Sequence, residues 1–197
     1  MDAIETLMNE HRAIERVLDA LVGFAEDAQR RAATEKEELA RFVAFAREFA
    51  DRRHHAKEEG ILFRAMVDHG FPSNGGPIAV MLHEHDQGRS LVGMLKARAE
   101  QAEPWSDADR QEIADVARAF SDMLHAHIHK EDAILYPMAE QHLPPDAMEA
   151  VSADCERADE AGDSAALTAL GDALVQRHAG AVHPSPERRP QGFGCCG

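Results

Sequence analysis

Aromatic residues, positive charge and long apolar runs are all scarce in this sequence. Aromatics make up 5% of the 197 residues, with one Trp and one Tyr, which is too few for a typical sheet-rich protein. Lys and Arg number 21 against 36 Asp and Glu, giving a formal net charge of -15, which argues against nucleic acid or an anionic membrane as the main partner. No stretch approaches the ~20 apolar residues of a membrane span. We therefore expect no nucleic-acid partner and no membrane partner.

Cysteine is also scarce. The three cysteines are Cys155, Cys195 and Cys196, and an adjacent pair is strained as a disulfide because bridged residues prefer well-separated Cα atoms. The sequence therefore does not predict a disulfide framework. The N-terminal segment is acidic and amphipathic, unlike a secretory signal, and these features together predict a protein of the reducing cytoplasm.

Histidine, by contrast, is abundant. The chain contains 12 histidines, more than half the count of Lys and Arg. The rest of the composition, with 44% hydrophobic and 29% charged residues, is typical of a globular domain with a sizeable core. A functional interpretation has to decide which histidines face that core.

Apolar residues recur with helical periodicity along most of the chain. Four long helices are predicted at 2–29, 34–69, 77–100 and 106–141, and two weaker ones at 146–160 and 164–180. Thr34 and Glu37 match a capping box at the start of the second helix. Pro77 suits the first turn of the third helix, and Ser106 can cap the fourth. Pro137 is expected to kink or fray the last turns of that helix.

Four long helices joined by short links are typical of an antiparallel bundle. The predicted fold class is all-α, an antiparallel up-down-up-down four-helix bundle with an extra C-terminal helical segment. The predicted domain organisation places the bundle at 1–143, a helical extension at 144–182 and a flexible, cysteine-containing tail at 183–197.

The helical repeat indicates which histidines share the apolar stripe of each helix, because an α-helix turns about 100° per residue. In the first helix, His11 lies within about 40° of its apolar neighbours. In the second helix, His54 and Glu58 lie on the stripe, whereas His55 is turned about 100° away. We therefore expect His55 and Glu59 at the edge of the bundle or in solvent.

The third and fourth helices each add one inward histidine. His85 shares the apolar stripe of the third helix, while His83 falls about 160° away and should face water. His127 lies on the stripe of the fourth helix, and Glu131 follows it on the same face at i+4. Each of the four long helices thus carries one histidine on its core face.

These inward polar residues predict a metal centre. The predicted ligand set is His11, His54, Glu58, His85, His127 and Glu131. Burying these groups is costly unless something satisfies them, and a metal held between facing helices does so. Nitrogen and oxygen donors without an inward cysteine disfavour structural zinc and suit iron, with manganese as a substitute. Six such donors, two of them carboxylates that can bridge, are enough for two metal ions.

Four segments resemble the motifs of the hemerythrin-like HHE cation-binding family. They read EHRAIERVL, HHAKEEGILF, GPIAVMLHEHDQGRS and HIHKEDAILYP, one per predicted helix, and the resemblance covers about residues 1–140. It implies a four-helix bundle that holds a non-haem di-iron centre. Carried over motif by motif, the resemblance selects the same six residues as the helical repeat.

The ligand pattern departs from that of the oxygen-carrying hemerythrins. Those proteins place a second histidine one turn after the first on the third helix, where this sequence has Arg89. They also use an aspartate five residues after the histidine of the fourth helix; Asp132 has that spacing, but Glu131 is better aimed. The four-histidine, two-glutamate set looks more like that of the iron–sulfur cluster repair di-iron proteins. Those proteins carry a vicinal cysteine pair at their N-terminus, whereas Cys195 and Cys196 stand at the other end.

Three functions are compatible with these sequence features. The first is a di-iron protein that binds or senses O2, NO, peroxide or iron in oxidative or nitrosative stress, with a small diatomic or peroxide molecule as its partner. The second is an iron–sulfur cluster repair protein or iron donor, or a peroxidase-like di-iron enzyme, although the sequence shows no general acid that would support turnover. The third is a structural bundle whose histidines are incidental.

Other residues are assigned supporting roles. Glu15 is expected to hydrogen-bond a ligating histidine, and Cys155 to pack as a small core residue. Tyr136 is expected in the core or at an interface. The Gly-Cys-Cys-Gly end of the chain is either an oxidisable tail or a redox or metal-delivery handle.

Overall fold

The computed structural model describes residues 2–33, 35–160 and 164–178, and this part of the chain is helical with no strand. Its six helices are α1 (Ala3–Arg30), α2 (36–68), α3 (Gly76–Glu100), α4 (107–142), α5 (Pro145–Glu160) and α6 (Ser164–His178). The all-α class is confirmed, and each helix lies within a few residues of its predicted bounds.

The helix ends follow local chemistry. The Asp2 side chain accepts a hydrogen bond from the Ile4 N–H at the start of α1, and Ser106 forms a capping box with Asp109 at the start of α4. Pro77 stands in the first turn of α3, as predicted. The turn before it uses Gly75 at φ 125°, in the left-handed region that favours glycine. Helix α2 begins at Lys36, and Thr34 lies outside the described residues.

Helices α2 and α4 each contain segments of π-helical geometry. The π segments are Ala46–His55 and Glu58–Leu62 in α2, and Glu131–Leu135 in α4. The i→i+5 hydrogen bond of a π-helix widens the turn, and such segments are frequent at functional sites. Helix α4 continues through Pro137 to His142, and its π segment lies directly before the proline at which a kink or fraying was predicted.

The two C-terminal helices pack onto the first two helices of the bundle. Helix α5 contacts α1 and the second π segment of α2, and α6 contacts α1 and α2. Helix α6 packs closely against α2: a Cβ at Gly171 would lie only 2.6 Å from Phe45 Cε2. The predicted division at residue 144 stays a prediction, and the whole predicted tail, 183–197, with Cys195 and Cys196, lies outside the described residues.

Two apolar clusters form the core. The first includes Phe24, Phe42, Trp105, Ile113, Leu124 and Leu174. The second includes Ile4, Leu7, Leu62, Met66, Leu135, Tyr136 and Cys155. On each of α1 to α4, a short stretch of buried polar residues separates the part in one cluster from the part in the other. None of the described helices is both long and apolar enough to cross a membrane.

Candidate metal centre

Seven buried donor side chains meet where the two apolar clusters are separated. They are His11, His54, His55, Glu58, His85, His127 and Glu131, and none of them is more than 5% exposed. The structure therefore brings together all six residues of the predicted ligand set. It adds His55, which the helical repeat placed at the edge or in solvent.

The burial of His55 corrects that prediction. Its ring stacks on His85 with centroids 3.8 Å apart. The physical reason is the π segment, which ends at His55: a wider turn reduces the angle between neighbouring residues below the about 100° of an α-helix. His54 and His55 can therefore both face the core. Glu59, by contrast, lies at the edge as predicted, with 29% of its side chain exposed.

The donor atoms divide into two overlapping groups. We call His11, His54, Glu58 and Glu131 the first donor group, and His55, Glu58, His85 and His127 the second donor group. Within each group, one donor atom from every residue lies within 4.8 Å of the others. Glu58 belongs to both, since its Oε1 lies 3.6 Å from His54 Nε2 and its Oε2 lies 3.4 Å from His85 Nε2.

Glu131 also reaches both groups. Its Oε2 lies 3.3 Å from His11 Nε2 and 3.2 Å from His127 Nε2. The two carboxylates therefore occupy the positions that bridging ligands between two cations would need.

Four of the five histidines are held from outside by a carboxylate that accepts a hydrogen bond from Nδ1. The pairs are His11 with Asp132 at 2.7 Å, His54 with Glu10 at 2.9 Å, His85 with Glu59 at 2.7 Å and His127 with Glu84 at 2.9 Å. This arrangement fixes the proton on Nδ1 and turns the Nε2 lone pair towards the centre. Carboxylate–histidine pairs of this kind are typical of metal sites.

Each of these outer carboxylates is adjacent in sequence to a donor residue, but it accepts a hydrogen bond from a histidine on a different helix. Glu10 precedes His11 yet holds a histidine of α2, and Glu84 precedes His85 yet holds a histidine of α4. The sequence analysis did not identify Glu10, Glu59 and Glu84, although an acid adjacent to four of the six predicted ligands was a signal that could have found them. The role expected of Glu15 is filled by Asp132, while Glu15 forms an ion pair with Arg12.

Several polar atoms in the centre lack a protein partner. Glu58 Oε2 and both oxygens of Glu131 accept no hydrogen bond from any described residue. In the second donor group, His85 Nε2 and His127 Nε2 face each other at 3.1 Å. With both Nδ1 atoms donating outwards, two lone pairs would meet there unless a cation lies between them. Buried polar atoms of this kind call for a partner, and a metal ion fits the donors present.

The carboxylates of the centre respond differently to burial. Burial and the nearby charge of Glu131 raise the pKa of Glu58 well above its usual value. Burial would also raise the pKa of Glu131, but the nearby imidazoles of His11 and His127 hold it well below its usual range. Tyr136 donates a hydrogen bond to Glu58 Oε1 at 2.5 Å. Without a metal, a proton on Glu58 thus relieves the repulsion between the two acids.

The pKa values of the histidines are also shifted in different directions. Burial lowers the pKa of His54 well below its ordinary value and lowers that of His55 to about 4. Burial also opposes the charged form of His127, but Glu131 and Glu84 raise its pKa overall. The neutral imidazoles are ready to bind a metal. The raised pKa of His127 agrees with a proton taking the place of a cation between the two facing nitrogens.

A cavity of about 110 Å³ lies against the second donor group, between α2 and α3. His55, Gly88, Gly93 and Phe120 are among its lining residues, and Asp51 and Arg89 border it. Arg89 stands where the oxygen carriers have a histidine, and here it donates to Asp51 and Glu59 instead. The cavity therefore leads to His55, which, unlike the other four histidines of the centre, is not held at hydrogen-bond distance by any carboxylate in the described part of the chain; its Nδ1 lies 3.5 Å from Asp51.

Comparison with known proteins agrees with this geometry. The model of the hemerythrin HHE cation-binding domain matches residues 2–139. Two iron–sulfur cluster repair proteins named YtfE are similar to part of the chain: that of Musicola paradisiaca (strain Ech703) is 35% identical over 91 residues, and that of Dickeya chrysanthemi (strain Ech1591) is 36% identical over 90 residues. Each match covers 44% of this chain and 40% of the relative, so the chain spans about two fifths of the length of these relatives.

No solved structure matches the chain in the same kind of comparison. The family match covers well over half of the 197 residues and includes every member of both donor groups. This chain belongs to the hemerythrin HHE cation-binding family.

Proposed function

We propose that this protein binds two iron ions, with manganese as a substitute, and that the resulting centre binds or senses O2, NO, peroxide or iron in oxidative or nitrosative stress. One observation carries the proposal: two buried donor groups share Glu58, and oxygens of both carboxylates have no hydrogen-bond partner among the described residues. Carboxylate and imidazole donors without thiolate suit iron and manganese.

The residues have distinct roles in this proposal. His11 and His54 would hold one ion and His55, His85 and His127 the other, with Glu58 and Glu131 shared between them. Bound iron would supply redox chemistry and open coordination positions for a small ligand. The protein supplies a dry site, because every donor side chain is buried, and the outer carboxylates fix the direction of the histidine lone pairs.

The bundle topology that would bring these donors together is the predicted up-down-up-down order. Along α1 and α3 the chain passes from the second apolar cluster to the first, and along α2 and α4 it passes from the first to the second. This alternation supports antiparallel neighbours. A bundle of this kind aims side chains from four helices at one central point.

The experiment is metal analysis of the full chain after anaerobic loading with ferrous iron. We expect about two irons per chain and an optical spectrum of the oxidised protein that shifts with azide, NO or peroxide. Fewer than one iron per chain would overturn the proposal. A spectrum that none of the three small molecules shifts would overturn the ligand-binding part alone.

The small ligand is proposed to approach through the cavity beside His55. A Cβ at Gly93 would meet nothing within 4 Å, so a larger side chain there can fill space without displacing the helix. We expect Gly93→Leu to slow the association of azide or NO several-fold while iron content stays unchanged. Gly93→Ala, which fills little of the cavity, is the matched control. Equal association rates in Gly93→Leu and the wild type would place the route elsewhere.

A second candidate function is iron donation to damaged iron–sulfur clusters. It is favoured by the names of the two relatives, which cover only part of this chain. Its test is recovery of activity in an iron–sulfur enzyme damaged by NO, after mixing with the iron-loaded protein. Recovery no faster than with the same amount of free ferrous iron would reject it. A peroxidase-like role would instead require peroxide turnover faster than that of free iron.

The proposal places the protein in the cytoplasm, without nucleic acid or membrane as a partner. The net charge of -15 supports the absence of a polyanionic partner. The buried, free thiol of Cys155 agrees with a reducing compartment.

A further inference from the structure

We propose that Asp159, on the appended helix α5, is a positioning residue for the metal centre and acts on His54 through Lys57 and Glu10. This inference rests on the proposed binding of metal by the first donor group. It assigns to the C-terminal extension a role in the centre, although the family match ends at residue 139.

The chain of contacts begins at the outer carboxylate of His54. Glu10 Oε2 accepts the hydrogen bond from His54 Nδ1. Its other oxygen, Oε1, accepts from Lys57 Nζ at 2.5 Å and from Arg53 Nε at 3.1 Å. Glu10 is therefore shared between one histidine and two cations, and its orientation depends on where those cations are held.

Asp159 holds both cations from the opposite side. Its Oδ1 accepts from Lys57 Nζ at 2.7 Å and lies 3.1 Å from Arg53 Nη2. Lys57 is only 2% exposed, which is rare for lysine unless its charge is paired. Two acids and two bases thus form a balanced cluster, and α5 supplies one of its four members.

The balance explains why Asp159 matters for His54. Without its carboxylate, Lys57 and Arg53 would have Glu10 as their remaining acid in this cluster. Glu10 would then be drawn towards the two cations, which weakens the bond that orients His54. Removing one partner of a buried charge network leaves the others poorly paired, and partners outside the ligands tune metal affinity.

The fold of α5 does not depend on Asp159 alone. The Ala3 N–H at the start of α1 donates to Ser152 Oγ on α5, and Val151 and Cys155 are buried in the second apolar cluster. Replacing Asp159 by a residue of the same shape should therefore leave the helix in place.

The test uses the full chain with Asp159→Asn, with Asp159→Glu as the conservative rescue and Asp154→Asn as the control. Asp154 is exposed on the same helix and pairs with Arg157. Iron affinity is measured by chelator competition, and melting temperatures are measured with and without iron. We expect Asp159→Asn to weaken iron binding on the order of tenfold, at the lower end of the range for partners outside the ligands. Asp159→Glu should recover most of that loss, and Asp154→Asn should bind iron as the wild type does.

A double-mutant comparison shows whether the effect passes through Glu10. In a Glu10→Gln background, Asp159→Asn should cause little further loss of affinity. An equal loss in both backgrounds would overturn the proposal, as would lowered melting temperatures with unchanged iron affinity. Failure of the proposed function is distinct from either result, because the wild type itself would then hold less than one iron per chain.

Discussion

The two donor groups share helices α2 and α4, but the first adds a residue of α1 and the second a residue of α3, and the groups are protected differently. In the first, Asp132 and Glu10 hold the histidines, and the Tyr136 ring lies parallel to His11 with centroids 5.5 Å apart. Helix α5 contacts the residues behind this group, because Asp159 accepts a hydrogen bond from Lys57. In the second, no carboxylate of the described residues lies at hydrogen-bond distance from His55, which borders a cavity. The first group is more enclosed, whereas a cavity borders the second, which is the side proposed for the approach of a small molecule.

Their donor chemistry differs as well. The first group has two imidazoles and two carboxylates, and the second has three imidazoles and one carboxylate. The loss of one imidazole should therefore be more serious in the first group. The carboxylate common to both groups should matter most of all.

The largest expected effect is that of Glu58→Gln, because Glu58 belongs to both groups. We expect metal analysis to show loss of both irons. The metal-free melting temperature should not fall, since the variant removes a buried acid that stands beside Glu131. Glu59→Gln is the matched control: it removes an outer partner of His85 and should weaken binding but still reach two irons at saturation. A full complement of iron in Glu58→Gln would show that neither group depends on the Glu58 carboxylate.

The next largest effect compares the loss of one histidine from each donor group. His54→Ala should lower iron content and the iron-dependent rise in melting temperature more than His55→Ala, because two imidazoles remain in the second group after His55 is removed. The exposed His83 provides the control variant, His83→Ala, which should bind iron normally. The opposite order, measured by iron analysis under identical loading, would mean that the second group is the tighter one.

A third effect concerns pH in the metal-free protein. The pKa of His55 is lowered to about 4 in the folded state, so below its ordinary value of 6.5 the unfolded chain takes up a proton that folded His55 does not. The stabilising contribution of neutral His55 is therefore complete above pH 6.5 and is lost as the pH falls towards 4. Between these values the wild type should lose about 3 kcal/mol more unfolding free energy than His55→Gln. Urea denaturation at several pH values measures this difference, and parallel pH profiles for the two proteins would contradict it.

The smallest effect is that of Tyr136→Phe, which removes the hydrogen bond to Glu58 but keeps the ring beside His11. We expect a loss of about 1 kcal/mol in unfolding free energy without metal. The loss should be smaller with iron bound, since the metal would then hold Glu58. Denaturation of both forms measures the difference. An equal loss in the two forms would show that Tyr136 stabilises the core independently of the centre.

Sequence reasoning succeeded where the backbone is a regular α-helix. The bounds of α1 and α3 and the inward direction of His11 and His85 follow from a repeat of 3.6 residues per turn. It failed at His55, because the repeat no longer holds where α2 becomes π-helical. Nothing in the composition of that segment predicts the change. The widened turn instead accompanies the packing of two adjacent histidines into one centre.

The sequence by itself determined the all-α class, the positions of the helices and the inward direction of the six residues predicted as ligands, because these depend on local periodicity and spacing. Only the tertiary structure decided that His55 joins them, that Glu10, Glu59 and Glu84 each hold a histidine of another helix, and that α5 reaches the centre through Asp159. Such contacts join residues far apart in the chain. They depend on how the helices are rotated and placed against one another, which a periodic pattern within one helix does not specify.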